Sequence, residues 1–257
     1  MEKHNILVKY DKDLRLHMLY PEARKEITGD VVRFVREAPG MNFVAFTFAN
    51  EQNLDRVIDN ELDYFAQRIQ PLAWKVYEHD QLPSLKEKLE TYGFVENAEG
   101  SADVMVLDMQ AAPADLFQPV QADIRRVTDC DGLKDIVQVL DAVYGDSNLW
   151  VYDQLGPYLQ YPNYLSAYVA YVDEQPAATA WTYFPRGHFA TLCSGSTVPA
   201  QRMKGLYTNL LTIRLKEICA RGYPFAVVET GAMSRPIVAK YGFKHLTTVW
   251  DYQWQRF

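Results

Sequence analysis

The sequence is poor in cysteine: Cys130, Cys193 and Cys219 stand far apart among 257 residues, with no C-x-x-C pair. That spacing excludes a disulfide framework and a thiolate metal centre, and reads as three small apolar residues in a reducing compartment. His4, His17, His79, His188 and His245 show no ligand spacing either, so no metal is expected. No run approaches the roughly twenty apolar residues that a membrane span needs. The opening MEKHNILVKYDKDL has an apolar core too short for a secretory leader. Basic side chains are outnumbered, 26 against 33 acidic ones, for a formal net charge of -7. Broad binding to nucleic acid or anionic lipid is therefore not expected, although a local basic patch would survive the balance. G-x-x-x-x-G-K-[ST], G-x-G-x-x-G and G-x-S-x-G are missing, which removes the P-loop, the dinucleotide fingerprint and the nucleophile elbow. The expectation is a cytoplasmic globular protein with neither nucleic acid nor membrane as partner.

What is present is apolar material in ordered patterns. Hydrophobic residues make up 48% of the chain, and its length suits two domains of ordinary size. AAPADLFQPVQA (111–122), with two prolines and little periodicity, reads as the linker between them. After it come a short strand (123–127) and a helix (132–144) with Leu133, Ile136, Val137, Leu140 and Val143 at helical spacing. Three strand-like runs (165–172, 177–184, 189–198), separated by DEQP and PRGH, predict an antiparallel meander. A helix opens at Gly205, stops at ARGYP, and leads to FAVVE (225–229), a strand buried on both faces. A short helix (234–240) ending in YGF and a last strand, HLTTVWDYQW, close the chain.

The first half repeats this order. A shift of 149 positions lays Val32 on Trp181, Glu51 on Ala200, and KLETYGF (88–94) on IVAKYGF (237–243). Two strands, a helix and a terminal YGF in one register indicate an internal duplication. The predicted fold is α+β: two tandem domains, 1–112 and 120–257, each a mixed, mostly antiparallel sheet flanked by helices.

The chemistry concentrates in VPAQRMKGLYTNLL (198–211). A helix start leaves about four backbone N–H groups unpaired, and its dipole favours negative charge there. A strand, a turn with Arg202 and Lys204, and Gly205 at the mouth of the helix form a cradle suited to a diphosphate. An ordinary strand-to-helix turn with solvated cations is the alternative for the turn taken alone. In the first half, position 56 is arginine where Gly205 stands, and Glu51 and Asp55 would repel an anion. That half reads as a degenerate copy without a cofactor loop.

With its surroundings, the segment resembles the GCN5-related N-acetyltransferase (GNAT) superfamily over about residues 123–254. The resemblance is sharpest in STVPAQRMKGLYTNLL and ETGAMSRPIVAKYGF. It implies that backbone amides of Met203, Lys204, Gly205, Leu206, Tyr207 and Thr208, with Arg202 beside them, hold the pyrophosphate of acetyl-CoA. It further implies that Ser196, Thr197 and Val198, on a strand end splayed from its neighbour, pair with the pantetheine arm. Two family habits are missing: the tyrosine four residues before the YGF glycine is Val238, and Gly187 to Gly205 contains no carboxylate. Tyr207 replaces the usual small residue of the turn, and Tyr241 occupies a usually apolar slot. Glu229, ending the buried strand, remains a candidate base, or else a carboxylate capping the next helix. Cys193 reads as an inert thiol more readily than as a nucleophile. Seven of the seventeen tyrosines lie between Tyr144 and Tyr171, with Trp150 among them. Trp150, Tyr164 and Tyr183 are the candidates for an acceptor groove, or alternatively pack against the first half.

The resemblance implies an acetyl-CoA-dependent N-acetyltransferase in which a small-molecule or peptide amine attacks directly in a ternary complex. A CoA-binding sensor without turnover, and an acyltransferase with another donor, remain alternatives.

Overall fold

The computed structural model describes residues 2–20, 22–36, 42–68, 70–97 and 100–254. Unit 1 comprises Met1–Met105, Thr230–Pro236 and His245–Phe257; unit 2 comprises Val106–Glu229 and Ile237–Lys244. The chain opens with helix α1 (Lys3–Tyr10) and a π-helical turn at Asp11–Leu16. Strands β1 (Ala23–Ile27), β2 (Val31–Arg36) and β3 (Asn42–Thr47) lead to helix α2 (Leu54–Ala66) and strand β4 (Leu72–Tyr77). Helix α3 (Leu85–Thr91) and strands β5 (Val95–Glu96) and β6 (Ala102–Asp108) follow. Next come β7 (Asp123–Val127), α4 (Cys130–Tyr144), α5 (Trp150–Leu155) and the meander β8 (Leu165–Val172), β9 (Gln175–Tyr183) and β10 (Phe189–Thr197). The chain ends through α6 (Leu206–Ala220), β11 (Phe225–Thr230), α7 (Arg235–Lys240) and β12 (Lys244–Trp254).

The fold class is the expected α+β arrangement, and the duplication is visible in it. In unit 1, β2 and β3 pair antiparallel, α2 follows, and β4 returns parallel to β3. In unit 2, β9 and β10 pair antiparallel, α6 follows, and β11 returns parallel to β10. The β2–β3 turn of the first copy, 37–41, lies outside the described residues. The unit boundaries differ from the expected 1–112 and 120–257. One falls between Met105 and Val106, inside β6, and the last strand from His245 on belongs to unit 1. Pairing explains this: Val249 to Trp254 of β12 lie in antiparallel register against Tyr77 to Leu72 of β4. The linker also holds more structure than its prolines suggested, because Leu116 is buried within a 3₁₀ turn at Ala114–Phe117.

Unit 2 carries helices on both faces of its sheet, which is why its strands read as nearly continuous apolar runs. Along β8, Ala167 and Val169 pack with Leu133, Ile136 and Leu140 of α4 and with Val151 of α5. The alternate residues Tyr168 and Ala170 pack with Leu206 and Leu210 of α6. Helix α4 begins at Cys130, two residues before the predicted start, because the Asp129 side chain accepts from the Gly132 N–H at 3.0 Å and caps it.

In both units the parallel pairing breaks off early. The last paired residues are Val44 and Trp74 in unit 1, and Leu192 and Val228 in unit 2. These are the same point of the repeat to within one residue, so both copies release the second meander strand from its parallel neighbour. In unit 1 the chain's own N-terminal segment enters there. Arg15 donates from Nε to the Ala45 carbonyl at 3.0 Å, one residue past the break. Its guanidinium lies over the rings of Phe46 and Tyr77, 4.6 and 4.0 Å from their centroids, and pairs with Asp11 and Asp80 at 2.8 Å each. His79 completes the cluster, with Nδ1 2.8 Å from Thr247 Oγ1 and Nε2 3.0 Å from Asp11.

Candidate functional site

Beyond Leu192, β10 kinks. Its register against β9 shifts between Cys193 and Ser196, and Ser194 takes a positive φ of 44°. A bulge of this kind re-aims the backbone and ends regular pairing. The strand finishes at Thr197, and Pro199–Gln201 form a 3₁₀ turn that leads to α6.

The turn into α6 has the geometry of an anion cradle. Met203 and Gly205 both have left-handed backbones, with φ of 64° and 79°. Gly205 is the N-cap of α6; no side chain caps that end, and no acidic residue lies in the first turn. An added Cβ at Gly205 would meet Asn209 Nδ2 at an ordinary 3.6 Å, so the backbone angle, rather than crowding, requires glycine there. Arg202 is exposed and donates from Nε to the Thr197 carbonyl at 3.2 Å; Lys204 is exposed and bonds Gln201 Oε1 at 2.8 Å. Both cations are thus held on the loop. Met203 is fully exposed, and Leu206 is buried against the sheet. Of the predicted pantetheine contacts, Ser196 is buried, with its hydroxyl 3.2 Å from the Tyr144 hydroxyl. Thr197 has a buried Oγ1 without a hydrogen-bond partner among the described residues. Val198 is already engaged at both backbone groups, its N–H to Ala177 and its carbonyl from Gln201.

Tyr207, the departure from a small residue, has a structural explanation. A Cβ on Gly195 would stand 2.8 Å from Cε2 of the Tyr207 ring and 3.7 Å from Arg214 Nη2. The ring therefore occupies space that Gly195 vacates at the bulge, and burial pushes the Tyr207 hydroxyl's pKa up. Gly195→Ala is expected to destabilise the protein by about 1–3 kcal/mol, the usual cost of overpacking. A urea double-mutant cycle with Tyr207→Ala checks it: the two changes should offset each other, and strict additivity would contradict the contact. Thr208, one residue on, has its hydroxyl 2.5 Å from the Tyr241 hydroxyl. Sequence reasoning set Tyr241 aside as the occupant of a usually apolar slot, counted Tyr144 only within the tyrosine cluster, and gave Arg214 no role. The signal was weak, since a tyrosine or arginine in an amphipathic helix looks like packing or surface.

The aromatic residues predicted for an acceptor groove gather on the α4–α5 face of the sheet. Tyr164 and Tyr183 have ring centroids 5.5 Å apart, and Tyr158 lies 5.1 and 5.9 Å from them. Trp150 stands 6.3 Å from Trp181, is partly exposed, and donates from Nε1 to Asn148 Oδ1 at 3.1 Å. Tyr158 OH and Trp181 Nε1 are buried with no hydrogen-bond partner among the described residues. Glu229 is exposed near the end of β11, Val238 is buried in α7, and Cys193 Sγ lies 4.0 Å from the Thr191 carbonyl. Among the described residues no group of three or more His, Cys, Asp or Glu is placed to hold a metal ion. No described helix is long and apolar enough to cross a membrane.

The same stretch of unit 1 is built otherwise. Asn50 and Asn53 bond each other's backbone N–H groups ahead of α2, and Arg56 donates to both oxygens of Asp30 at 3.0 Å. Asp55 pairs with Lys88 at 2.8 Å. Polar side chains of the chain itself occupy this turn.

No protein-family model matches the sequence, and no curated protein is similar to it. Solved structures do share the fold. A GCN5-related N-acetyltransferase from Kribbella flavida superposes with a TM-score of 0.68 at 14% identity, over 98% of this chain and 93% of its own. A tandem GNAT protein of the clavulanic acid biosynthesis pathway gives 0.62 at 12% identity, over 93% and 85%. A GCN5-related N-acetyltransferase from Sphaerobacter thermophilus gives 0.60 at 11% identity, over 89% and 81%.

Proposed function

We propose that this chain, which has the tandem fold of the GCN5-related N-acetyltransferases, transfers an acetyl group from acetyl-CoA to an amine. One observation carries the reading: β10 leaves its parallel partner after Leu192, and the next helix starts uncapped on a left-handed glycine. A strand edge released from its sheet offers backbone groups to an extended amide-bearing arm. A helix start without a side-chain cap offers N–H groups and positive dipole to a diphosphate. Acetyl-CoA combines those two parts in that order.

In this reading the amides of residues 203–208 hold the pyrophosphate, with Arg202 and Lys204 adding long-range attraction. Ser196, Thr197 and Val198 line the arm, with Val198 contributing its side chain because its backbone groups are engaged. Trp150, Tyr164 and Tyr183 border the acceptor. Transfer forms a C–N bond to the acyl carbon and breaks the C–S bond, while one proton passes from the nitrogen to the departing sulfur. Glu229 is the proposed base. Thr208 and Tyr241, bonded to each other at the first turn of α6, complete the hydroxyl-bearing wall of the cradle.

A second reading, a CoA-binding sensor without turnover, is favoured by two observations. Val238 is buried where the tyrosine of the resembling family stands, and the strand before the cradle has no carboxylate. Calorimetry with acetyl-CoA, free CoA and a long-chain acyl-CoA, joined to thiol release across a panel of amines, separates the cases. The enzyme binds acetyl-CoA and releases thiol with at least one amine. A sensor binds and releases none, and preference for the longer donor moves the protein to another acyl group. Absence of binding to any of the three overturns the cradle.

A further inference from the structure

Arg214, on the sheet-facing side of α6, is a buried charge with no opposite charge beside it. It is 2% exposed, and its environment includes Tyr207, Cys193 and Tyr168 but no carboxylate among the described residues. Its donors go to carbonyls: Nε to Leu210 at 3.0 Å, and Nη1 to Trp181 and Cys193 at 3.4 Å each. Buried arginines are ordinarily paired, because carbonyl dipoles offset only part of the lost hydration. Burial accordingly draws the Arg214 pKa down. A neutral side chain could fill the same space at less cost, so the charge itself calls for a use.

Its placement supplies one. Trp181 and Cys193 are the last cross-strand pair before the bulge in β10, and Nη2 faces Gly195 within the bulge. The charge therefore sits directly beneath the point where β10 has parted from β11. Its Nε bonds the Leu210 carbonyl one turn back, so the guanidinium is held at the bulge, beside the buried Tyr207 ring and apart from the exposed cations of the cradle. The atoms within its reach are those of the 193–196 bulge.

We propose that Arg214 is a positioning residue for acyl transfer, holding the kinked 193–196 backbone and biasing it to receive the negative charge that develops on the acyl oxygen. The inference rests on the acetyl-CoA reading of the cradle. By bonding the Cys193 carbonyl, the guanidinium draws electron density along the 193–194 peptide and makes its N–H a stronger donor. In a low-dielectric surround a fixed charge acts at full strength without reorganising during the reaction. Arg214 itself makes and breaks no bond.

The test uses the full chain and acetyl-CoA labelled with ¹³C at the thioester carbonyl. In the wild type, the bound carbonyl resonance should move downfield from its free position. In Arg214→Met it should return toward the free position, with affinity for CoA, which has no acyl carbonyl, within about threefold and turnover lower by about 100-fold. Arg214→Gln keeps a donor for the carbonyls without the charge and carries the same readings should the methionine variant fail to fold. A resonance that both the wild type and a folded neutral variant share overturns the inference. Equal loss of CoA and acetyl-CoA affinity also overturns it, since that marks a structural role. If the wild type binds no acetyl-CoA, the cradle reading has failed first; if it binds and only the resonance is indifferent to Arg214, this inference alone has failed.

Discussion

Gly205→Glu should weaken acetyl-CoA binding by about 100-fold or more while leaving the protein folded. Two costs combine at this position. A side chain disfavours the left-handed backbone seen at a φ of 79° by about 1–2 kcal/mol, so the free variant loop relaxes and must regain that backbone to bind. The new carboxylate then faces the anion that the start of α6 is proposed to hold, and like charges brought together in a binding site cost up to several kcal/mol. About 3 kcal/mol in all corresponds to roughly 100-fold in affinity. Gly205→Ala separates the contributions, because it keeps the strain and omits the charge, and it should cost about 1 kcal/mol, or roughly fivefold. Calorimetry with acetyl-CoA, with circular dichroism to confirm folding, measures both. Wild-type affinity in a folded Gly205→Glu variant would place the cofactor elsewhere and remove the basis for the transfer chemistry.

Arg15→Met should destabilise unit 1 by about 3–5 kcal/mol, the range found when one partner of a buried ion pair is removed. Asp11 and Asp80 each lie 2.8 Å from the guanidinium, and the substitution takes the cation from both, leaving Asp11 with His79 and Asp80 with the Tyr77 N–H. It also removes the cation from between Phe46 and Tyr77 and leaves the Ala45 carbonyl without its donor. Urea unfolding gives the total, and hydrogen exchange at β3 and β4 gives its location. A loss below about 1 kcal/mol would mean that the cluster is no better than a surface network. Acid provides an independent check. Burial alone would raise the pKa of Asp11, but the hydrogen bond from His79 and the charge of Arg15 hold it below 3.8. A lowered carboxylate contributes stability that is present above its unfolded value and lost as pH falls through the folded one. The wild type should therefore lose this contribution below about pH 4, and Arg15→Met should show a shallower acid slope.

The two substitutions probe one structural event in two copies. Each copy releases its second meander strand from the parallel neighbour at the same point of the repeat. Unit 1 brings in a side chain of its own, Arg15, with counter-charges supplied from the π-helical turn and from the loop after β4. Unit 2 carries a bulge over Arg214, with Gly195 bare so that Tyr207 can pack. A duplicated chain with one such cradle is expected to bind one acetyl-CoA per chain, and calorimetric stoichiometry reports it directly.

The amino-acid sequence determined the order and kind of the elements from β7 to α7 except α5, the repeat that unit 1 echoes, and the glycine at the start of α6. Those features are local: hydrophobic period, proline and glycine punctuation, and matching register are written residue by residue. Only the tertiary structure decided that β12 pairs with β4, because strand partners are chosen by edges brought together across more than a hundred residues of chain. It likewise decided that Arg15 enters the gap of its own copy, that Gly195 is small for Tyr207, and that Arg214 is buried without a carboxylate. An arginine in a helix reads the same in sequence whether it ends in water or under a sheet, and burial, which sets its energetic meaning, is a property of the packed whole.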